Sequence, residues 1–342
     1  MSGTSLDGLD IAHCSFKLNE GHYSFIINKA TTLHYPDEWQ EKLRFAHHRL
    51  PRDFAQIHND FGTYIGEKCA HFIAEHKLTV DFIASHGHTV FHEPQSGFTT
   101  QIGAGSHIAA SAGLETICDF RSTDVAFGGN GAPLVPIGDH LLFSEYDYCL
   151  NLGGIANISS VRNSNRIAHD ICPVNLVLNY LSLKEGYSFD KAGQIGQSGK
   201  LLTRLFDELN NSPFYKIEGP KSLGREWIES VIIPILNSKK FAIKDLLHTF
   251  CHHIAFQIAQ HLESGKIFIT GGGAYNDFLI ECFRKYFSSK IDIIIPDQQT
   301  IEFKEALIFA FLGVLRKEGK ANCLASVTGA KKDSCGGAIY QP

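Results

Sequence analysis

The feature that most constrains this chain is a pattern that occurs twice, in which strand-like segments adjoin a glycine-containing turn. In the first copy, a turn at residues 3–10 runs into strand-like residues 11–16. In the second copy, strand-like residues 148–152 lead into a turn at 153–154, and residues 155–161 form the next strand. Two such hairpins, each followed by helical segments, predict a duplicated α/β domain with a cleft between its halves.

The rest of the chain continues this alternation of helices and strands. Residues 53–76 carry apolar side chains in helical steps, at Phe54, Ile57, Phe61, Ile65, Cys69 and Phe72. Further helices are predicted at 174–183, 200–210, 225–230 and 246–264, and further strands at 81–85, 267–270 and 291–295. The boundary between the two halves is predicted near residues 133–139.

Composition excludes several classes of protein. The chain has 342 residues and a formal net charge of -5, and its Lys and Arg residues are scattered, so we expect no nucleic-acid partner. No run approaches the roughly 18 apolar residues of a membrane span, and no signal peptide is visible. The 9 cysteines form no Cys-x-x-Cys pair, which is typical of reduced thiols in a cytosol.

Three glycine turns are candidate phosphate-binding elements. Glycines let a backbone turn tightly with its N–H groups inward, which suits phosphate oxygens, and a nearby carboxylate can hold Mg²⁺. Taken alone, the first turn is more typical of an ordinary hairpin, whereas three turns at corresponding places favour a polyphosphate ligand. Their residues are Gly3, Thr4, Ser5, Leu6, Asp7, Gly8, Leu9 and Asp10, then Gly153 and Gly154, then Gly271, Gly272 and Gly273.

Several polar residues have both a chemical and a structural interpretation. Arg121 can clamp a substrate carboxylate, or it can form a structural ion pair. Asp170 suits a general base at a strand-to-helix corner, although its spacing favours a helix N-cap. Glu305 opens an apolar helix, where an N-terminal carboxylate also has a structural role. The cluster of His86, His88 and His92 has no defensible zinc spacing, so ligand contact or loop packing is the better interpretation.

The motifs as a set resemble those of the 1,6-anhydro-N-acetylmuramic acid kinases of peptidoglycan recycling. The similarity runs nearly end to end. It comprises GTSLDGLD (3–10), SHGHTVFHEP (85–94), TQIGAGSHIA (100–109), DFRSTDVAFGGNGAPLVP (119–136), LNLGGIANIS (150–159), PKSLGRE (220–226), TGGGAYN (270–276) and VTGAKK (327–332).

The resemblance implies a two-lobed actin/Hsp70/sugar-kinase (ribonuclease H-like) fold. We expect one lobe at residues 1–135 with 325–342, and the other at 136–324. It also implies ATP and Mg²⁺ as cofactors, a small anhydro amino sugar as substrate, no membrane association, a cytoplasmic location and a homodimer. In similar enzymes, water opens the 1,6-anhydro bridge while O6 takes the γ-phosphate of ATP, which gives N-acetylmuramate 6-phosphate.

The resemblance also implies roles for individual residues. Asp170 matches the base that activates water. The turn at 3–10 matches the ATP phosphate loop, with Asp7 as a magnesium ligand, directly or through water. The other two turns match the second phosphate motif and the adenosine motif. Residues near the sugar are matched by Gln101, Arg121 and Glu305.

This chain departs from its relatives at two places. Cys172 and Val174 stand where relatives have glycines after the catalytic aspartate, so we expect the loop beside Asp170 to be reshaped. Relatives also carry an apolar strand before their Met-Ser-Gly-Thr sequence, and Met1 is the first residue here. We expect the strand that leads into the phosphate loop to be missing.

Two other functions fit the same sequence. A kinase of the same fold could phosphorylate a free hydroxyl of a sugar or sugar acid, with Asp170 deprotonating the sugar. A non-catalytic, ATP-dependent sensor could use the same clamp, although it would not need the motifs on the sugar side.

Overall fold

The structure is a computed structural model that describes residues 1–3, 6–163, 165–217, 222–238 and 240–342. The chain forms two compact units. Unit 1 comprises Met1–Leu142 and Phe303–Pro342, and unit 2 comprises Phe143–Glu302. From the sequence, we expect the lobe boundaries after residue 135 and before residue 325. These boundaries stay a prediction, and the two compact units divide after Leu142 and after Glu302.

The strands in chain order are β1 (Leu9–Asn19), β2 (His22–Leu33), β3 (Ile83–Ala84), β4 (His88–Glu93), β5 (Phe98–Ile102), β6 (Thr116–Cys118), β7 (Tyr148–Leu152), β8 (Ile155–Arg162), β9 (Asn165–Pro173), β10 (Gly265–Thr270), β11 (Ile291–Ile294) and β12 (Ala338–Tyr340).

The helices are α1 (Asp37–Arg44), α2 (Pro51–His76), α3 (Gly105–Ala112), α4 (Ser122–Ala126), α5 (Val135–Leu141), α6 (Asn175–Leu183), α7 (Gln194–Gln197), α8 (Thr203–Asn210), α9 (Arg225–Trp227), α10 (Ile233–Asn237), α11 (Ile243–Ala259), α12 (Asp277–Tyr286), α13 (Gln298–Lys317) and α14 (Ala325–Thr328). Short 3₁₀ turns cover Ala46–His48, Pro94–Ser96, Lys191–Gly193, Pro213–Lys216 and Gly272–Tyr275, and Ile228–Ile232 is π-helical.

Unit 2 is built on one five-stranded sheet with the order β11-β10-β7-β8-β9. The central strand β7 pairs in parallel with β10 and antiparallel with β8. Leu150, Leu152, Ile267 and Ile269 are fully buried in its core. The strands predicted at 148–152, 155–161, 267–270 and 291–295 are confirmed in their places, and so is the mixed α/β class.

Unit 1 divides its strands among smaller sheets. β1 pairs with β2, β4 pairs with β5, and β3 lies in the three-stranded sheet β12-β6-β3. The strand predicted at 81–85 is only Ile83–Ala84. Helix α2 confirms the predicted helix at 53–76, because the apolar stripe buries Phe61, Ile65 and Phe72 against this unit.

The C-terminal segment is held in unit 1 through one buried carboxylate. Asp124 has no exposed surface, and its oxygens accept hydrogen bonds from the Gly131 amide (2.8 Å), the Thr328 hydroxyl (2.8 Å) and the Cys323 thiol (3.2 Å). Strand β12 adds backbone pairing to β6. A buried charge requires such partners, so these contacts fix the segment to α4.

Among the described residues, no helix combines the length and the apolar character that a membrane span requires.

Candidate active site

Two of the predicted glycine turns lie against each other in unit 2. The backbone of Gly271 has a φ of 82°, which glycine adopts without strain. A Cβ atom added at Gly271 would lie 2.7 Å from the backbone carbon of Leu152, and one added at Gly273 would lie 2.7 Å from the Leu152 Cβ. The turn after β10 therefore packs directly on the end of β7, just before Gly153 and Gly154.

The N-terminus of helix α6 adjoins the same turns. The Asn175 amide donates to the Gly153 carbonyl (3.2 Å), and the Val174 amide donates to the Gly154 carbonyl (2.9 Å). The Asn175 side-chain nitrogen donates to the Leu152 carbonyl (2.9 Å). A helix N-terminus favours anions, so its position beside two glycine turns suits a phosphate group. Sequence reasoning did not assign Asn175 to the site, although it follows Asp170 in the same motif.

Asp170 lies within β9 at a β-bulge. Cys172 pairs with Ala156 and Asp170 pairs with Asn157, which leaves Ile171 as the extra residue. The bulge lets Ile171 and Cys172 both be buried while Asp170 stays half-buried. Helix α6 has Val174 at its N-cap and no side-chain capping bond, so the N-cap interpretation of Asp170 is wrong.

The Asp170 carboxylate is held by one oxygen. Its Oδ2 accepts hydrogen bonds from the Leu223 amide (2.8 Å) and the Ser222 hydroxyl (3.3 Å). Burial raises the pKa of Asp170 from its usual 3.8, and these two hydrogen bonds oppose the rise. A carboxylate with a raised pKa binds a proton more readily than a free aspartate does.

The residues that replace the family's glycines are part of the core of unit 2. Cys172 and Val174 are fully buried, and Val174 has a φ of -129°. Its ψ is -98°, so its backbone lies in neither the helical nor the extended region.

Arg121 is anchored by a histidine in unit 1. Its Nε and Nη2 atoms lie 3.1 Å and 2.9 Å from His86 Nε2, and its Nη1 donates to the Gly131 carbonyl (2.7 Å). The guanidinium also lies over the Phe309 ring, 5.9 Å from its centroid. No described carboxylate lies within ion-pair distance of Arg121, so its interpretation as a structural ion pair is not supported.

These contacts leave part of the guanidinium for a ligand. Contacts with the described residues use three of its five N–H groups and leave one N–H on each terminal nitrogen. Arg121 is half-buried, and burial lowers its pKa from 12.5. Two N–H groups on adjacent nitrogens are the donor arrangement that holds a carboxylate in bidentate fashion.

His86 accepts from Arg121 because it is neutral. Its Nδ1 lies 3.0 Å from the Gly87 carbonyl, a contact that requires a proton on Nδ1 and leaves Nε2 as an acceptor. Burial and the Arg121 charge hold the pKa of His86 well below its usual 6.5. The described residues contain no group of three or more His, Cys, Asp or Glu side chains that could hold a metal ion.

The other two predicted sugar-side residues also lie in unit 1. Gln101 is in β5, and its side-chain nitrogen donates to the Thr99 hydroxyl (2.8 Å). Glu305 is in the interior of α13, which starts at Gln298, so the prediction that Glu305 opens this helix is wrong. Its side chain is exposed, yet the nearby protein desolvates the carboxylate and raises its pKa from 4.5, while the Arg121 charge lowers it.

The first glycine turn packs against β2. Thr4 and Ser5 lie outside the described residues. A Cβ atom at Gly8 would lie 2.7 Å from the Leu33 carbonyl oxygen, so only glycine fits there. Asp7 is exposed, whereas the Asp10 carboxylate accepts a hydrogen bond from the Thr32 hydroxyl (2.6 Å).

A sequence model of the family described as anhydro-N-acetylmuramic acid kinase matches residues 1–342. The chain belongs to this family. The predicted family and the prediction that the chain is a kinase are therefore confirmed.

Curated relatives agree with this result over nearly their whole length. The chain is 32% identical over 360 residues to an anhydro-N-acetylmuramic acid kinase of Actinobacillus pleuropneumoniae serotype 7 (strain AP76), with 99% of this chain and 97% of the relative covered. It is 33% identical over 365 residues to the enzyme of that name from Pseudomonas fluorescens (strain Pf0-1), with 99% and 98% covered.

Among solved structures, the chain is similar to an activator of 2-hydroxyisocaproyl-CoA dehydratase from Clostridium difficile with bound ADPNP. The identity is 17%, the TM-score is 0.35, and the match covers 54% of this chain and 67% of that one. A TM-score of this size is too low to support an argument.

We predict that His86→Gln flattens the pH dependence of stability. Because the folded-state pKa of His86 is lowered, the unfolded chain binds a proton that the folded chain does not, and stability falls as the pH drops below about 6.5. Glutamine can still accept from Arg121 but cannot titrate. Thermal melts between pH 8 and pH 5 test this.

Above pH 7 the melting temperatures of the two proteins should differ by a constant amount, which serves as the internal control. Between pH 6.5 and pH 5, the His86→Gln protein should lose less stability than the unchanged chain. Parallel curves over the whole range would contradict a neutral, Arg121-bound His86.

Proposed function

We propose that this kinase opens 1,6-anhydro-N-acetylmuramic acid with water and phosphorylates the released O6. The water oxygen bonds to C1 as the C1–O6 bond breaks, and O6 takes the γ-phosphoryl group of ATP. The products are N-acetylmuramate 6-phosphate and ADP, and the proton lost from water goes to a carboxylate. The reaction serves peptidoglycan recycling and amino-sugar catabolism.

The observation that carries this proposal is the state of Asp170. Among the described residues, both of its hydrogen-bond donors contact Oδ2, so Oδ1 can take the proton of the attacking water. Its raised pKa makes it a better base than an exposed aspartate. These two features support a general-base role for the Asp170 carboxylate.

The nucleotide would bind at the glycine turns. In the cradle formed by Gly153, Gly154 and Gly271–Gly273, contacts with Leu152 leave no room for a Cβ atom at Gly271 or Gly273, which supports backbone groups facing phosphate and adenosine there. The exposed Asp7 of the 3–10 turn fits Mg²⁺, which is commonly bound by one or two carboxylates together with substrate phosphates. Bound Mg²⁺ would offset negative charge on the phosphates.

The sugar would be recognised by unit 1. The two remaining N–H groups of Arg121 fit the carboxylate of the lactyl group, and His86 and Gly131 orient the guanidinium for it. The Gln101 amide and the Glu305 carboxylate supply further polar contacts to sugar hydroxyl or amide groups.

Two further parts of the proposal rest on the resemblance. We propose a cytoplasmic location, which is consistent with the free state of all 9 cysteines, and a homodimer. The first is tested by fractionation and the second by light scattering of the purified protein.

We predict that Gly271→Ala weakens ATP binding at least about tenfold, which corresponds to about 1.4 kcal/mol. The new Cβ would push the turn away from Leu152 and disturb the cradle. Gly186→Ala is the matched control, because Gly186 has the same φ of 82° but no atom within 4 Å of its Cβ position. Isothermal titration with ATP distinguishes the two; equal affinities would remove the turn from the nucleotide site.

We predict that Asp170→Asn lowers kcat by about 10²–10⁴-fold, the range that a general base contributes, while ATP affinity changes less than twofold. Asp277→Asn, an exposed change in the same unit, is the control and should keep full activity. The measurement is the formation of sugar phosphate from ATP, Mg²⁺ and the anhydro sugar.

The alternatives give different outcomes in this assay. A kinase that phosphorylates a free hydroxyl would act on a reducing sugar and leave the anhydro sugar unchanged. A sensor would bind ATP without forming any sugar phosphate. Unchanged turnover of Asp170→Asn would show that Asp170 is not the base.

A further inference from the structure

Helix α11 of unit 2 carries a buried histidine that the proposed reaction does not use. His253 is fully buried, and both of its ring nitrogens have partners. Its Nδ1 lies 2.7 Å from Asn210 Oδ1, and its Nε2 lies 3.0 Å from the Tyr215 hydroxyl. Burial lowers the pKa of His253 to about 3, so the ring is neutral. A neutral imidazole has one donor and one acceptor, and its neighbours decide which nitrogen is which.

The neighbours of Asn210 assign the donor and the acceptor on this ring. The Gln257 side chain donates to Asn210 Oδ1 (2.7 Å), and Asn210 Nδ2 donates to the Phe206 carbonyl (2.9 Å). Asn210 Oδ1 is therefore the acceptor for His253, which places the imidazole proton on Nδ1. The other nitrogen, Nε2, accepts from the Tyr215 hydroxyl. Helix α11 thus holds Tyr215 by a hydrogen bond with a defined direction.

Tyr215 precedes the two residues that bind Asp170. Among the described residues, the donors to Asp170 Oδ2 are the Leu223 amide (2.8 Å) and the Ser222 hydroxyl (3.3 Å). In the chain, both donors lie between Tyr215 and Trp227. The rings of Tyr215 and Trp227 pack edge to face, with their centroids 6.1 Å apart. The two ends of the segment that supplies the donors therefore contact each other, and Tyr215 fixes one of them to α11.

Tyr215 also lies beside the strand that carries Asp170. Helix α11 packs on β9. Burial, with a further contribution from Cys172 of β9, holds the pKa of Tyr215 well above its usual 10. The hydroxyl therefore keeps its proton and remains a donor to His253. The strand of Asp170 and the segment that binds Asp170 are both held by the same helix.

We propose that Tyr215 and His253 are positioning residues for Asp170. Their hydrogen bond holds the segment whose Ser222 hydroxyl and Leu223 amide bind Asp170 Oδ2. The effect on turnover rests on the proposed function, whereas the position of the donors is a property of the folded chain. If the donors moved away, the carboxylate would lose hydrogen bonds to its charged form, and the pKa of Asp170 would rise.

The experiment measures the pKa of Asp170 in Tyr215→Phe, with Tyr286→Phe as the matched control. The Tyr286 hydroxyl also contacts a histidine of α11, 3.1 Å from His252 Nδ1, but Tyr286 belongs to α12 and not to the segment before Ser222. Carboxyl ¹³C NMR of protein labelled at aspartate follows the titration, and Asp170→Asn identifies the signal. Tyr215→Phe should raise the pKa of Asp170 by at least about 0.5, and Tyr286→Phe by less than about 0.2.

The other titratable groups close to Asp170 stay the same in this comparison. His169 and Cys172 lie with Asp170 in β9, and His169 Nε2 lies 3.1 Å from His261 Nδ1. Because every variant keeps these groups, a change in the pKa of Asp170 reports on its two hydrogen-bond donors.

Two further variants separate positioning from folding. Tyr215→Phe leaves His253 Nε2 buried without its partner, which destabilises the fold. Combining Tyr215→Phe with His253→Leu removes both partners, while Asn210 keeps the donor Gln257, so this double variant should fold and show the same raised pKa of Asp170. His253→Gln, whose side-chain oxygen can still accept from Tyr215, should keep the pKa of the unchanged chain.

Turnover gives a second readout. In Tyr215→Phe, the acid limb of kcat/KM for the anhydro sugar should move to higher pH with the pKa of Asp170, while ATP affinity changes less than about twofold. A lower melting temperature with an unchanged pKa of Asp170 would show a purely structural role and overturn the inference. So would equal pKa values in Tyr215→Phe and Tyr286→Phe. If Asp170→Asn kept full turnover, the proposed function would fail, and the NMR titration would still decide whether Tyr215 positions the donors.

Discussion

The backbone ladder of β7 is the interaction on which the candidate nucleotide site depends. Parallel pairing with β10 brings the carboxyl ends of both strands to one edge, and antiparallel pairing with β8 returns the chain toward β9. The two glycine turns of unit 2 come directly after β7 and β10, so the parallel pairing of these strands brings the turns together. The bulge that leaves Asp170 half-buried lies one pairing further along the sheet, between β8 and β9.

Unit 1 builds its part of the chemistry with side chains. Arg121 is fixed by a neutral histidine, a backbone carbonyl and an aromatic ring, and no carboxylate of the described residues lies within ion-pair distance of it. A guanidinium held in this way costs free energy to bury without a counterion. A substrate carboxylate would supply that counterion. A ligand that carries a carboxylate would therefore offset the cost of burying Arg121, and a neutral ligand would not.

The sequence predicts most where one local pattern dominates, and least where a residue's role depends on distant partners. The stripe at Phe61 and Ile65 predicts α2 because a single face is buried. By contrast, the acceptor role of His86 needs Arg121, which is 35 residues away. The donors to Asp170 come from Ser222 and Leu223, more than 50 residues later, and no spacing rule connects them. Helix α13 begins at Gln298, before its apolar run, so the start of that run predicts the wrong helical position for Glu305.

The most direct test of the account is the fate of the water oxygen. The reaction is run with ATP, Mg²⁺ and anhydro-N-acetylmuramic acid in ¹⁸O-water, and the product is analysed at early times, with unlabelled product in the same water as the exchange control. The account predicts ¹⁸O at C1, beyond that exchange, and none in the phosphate ester. Unlabelled C1 at the earliest times, or label in the phosphate, would contradict an attack of water on the anhydro bridge.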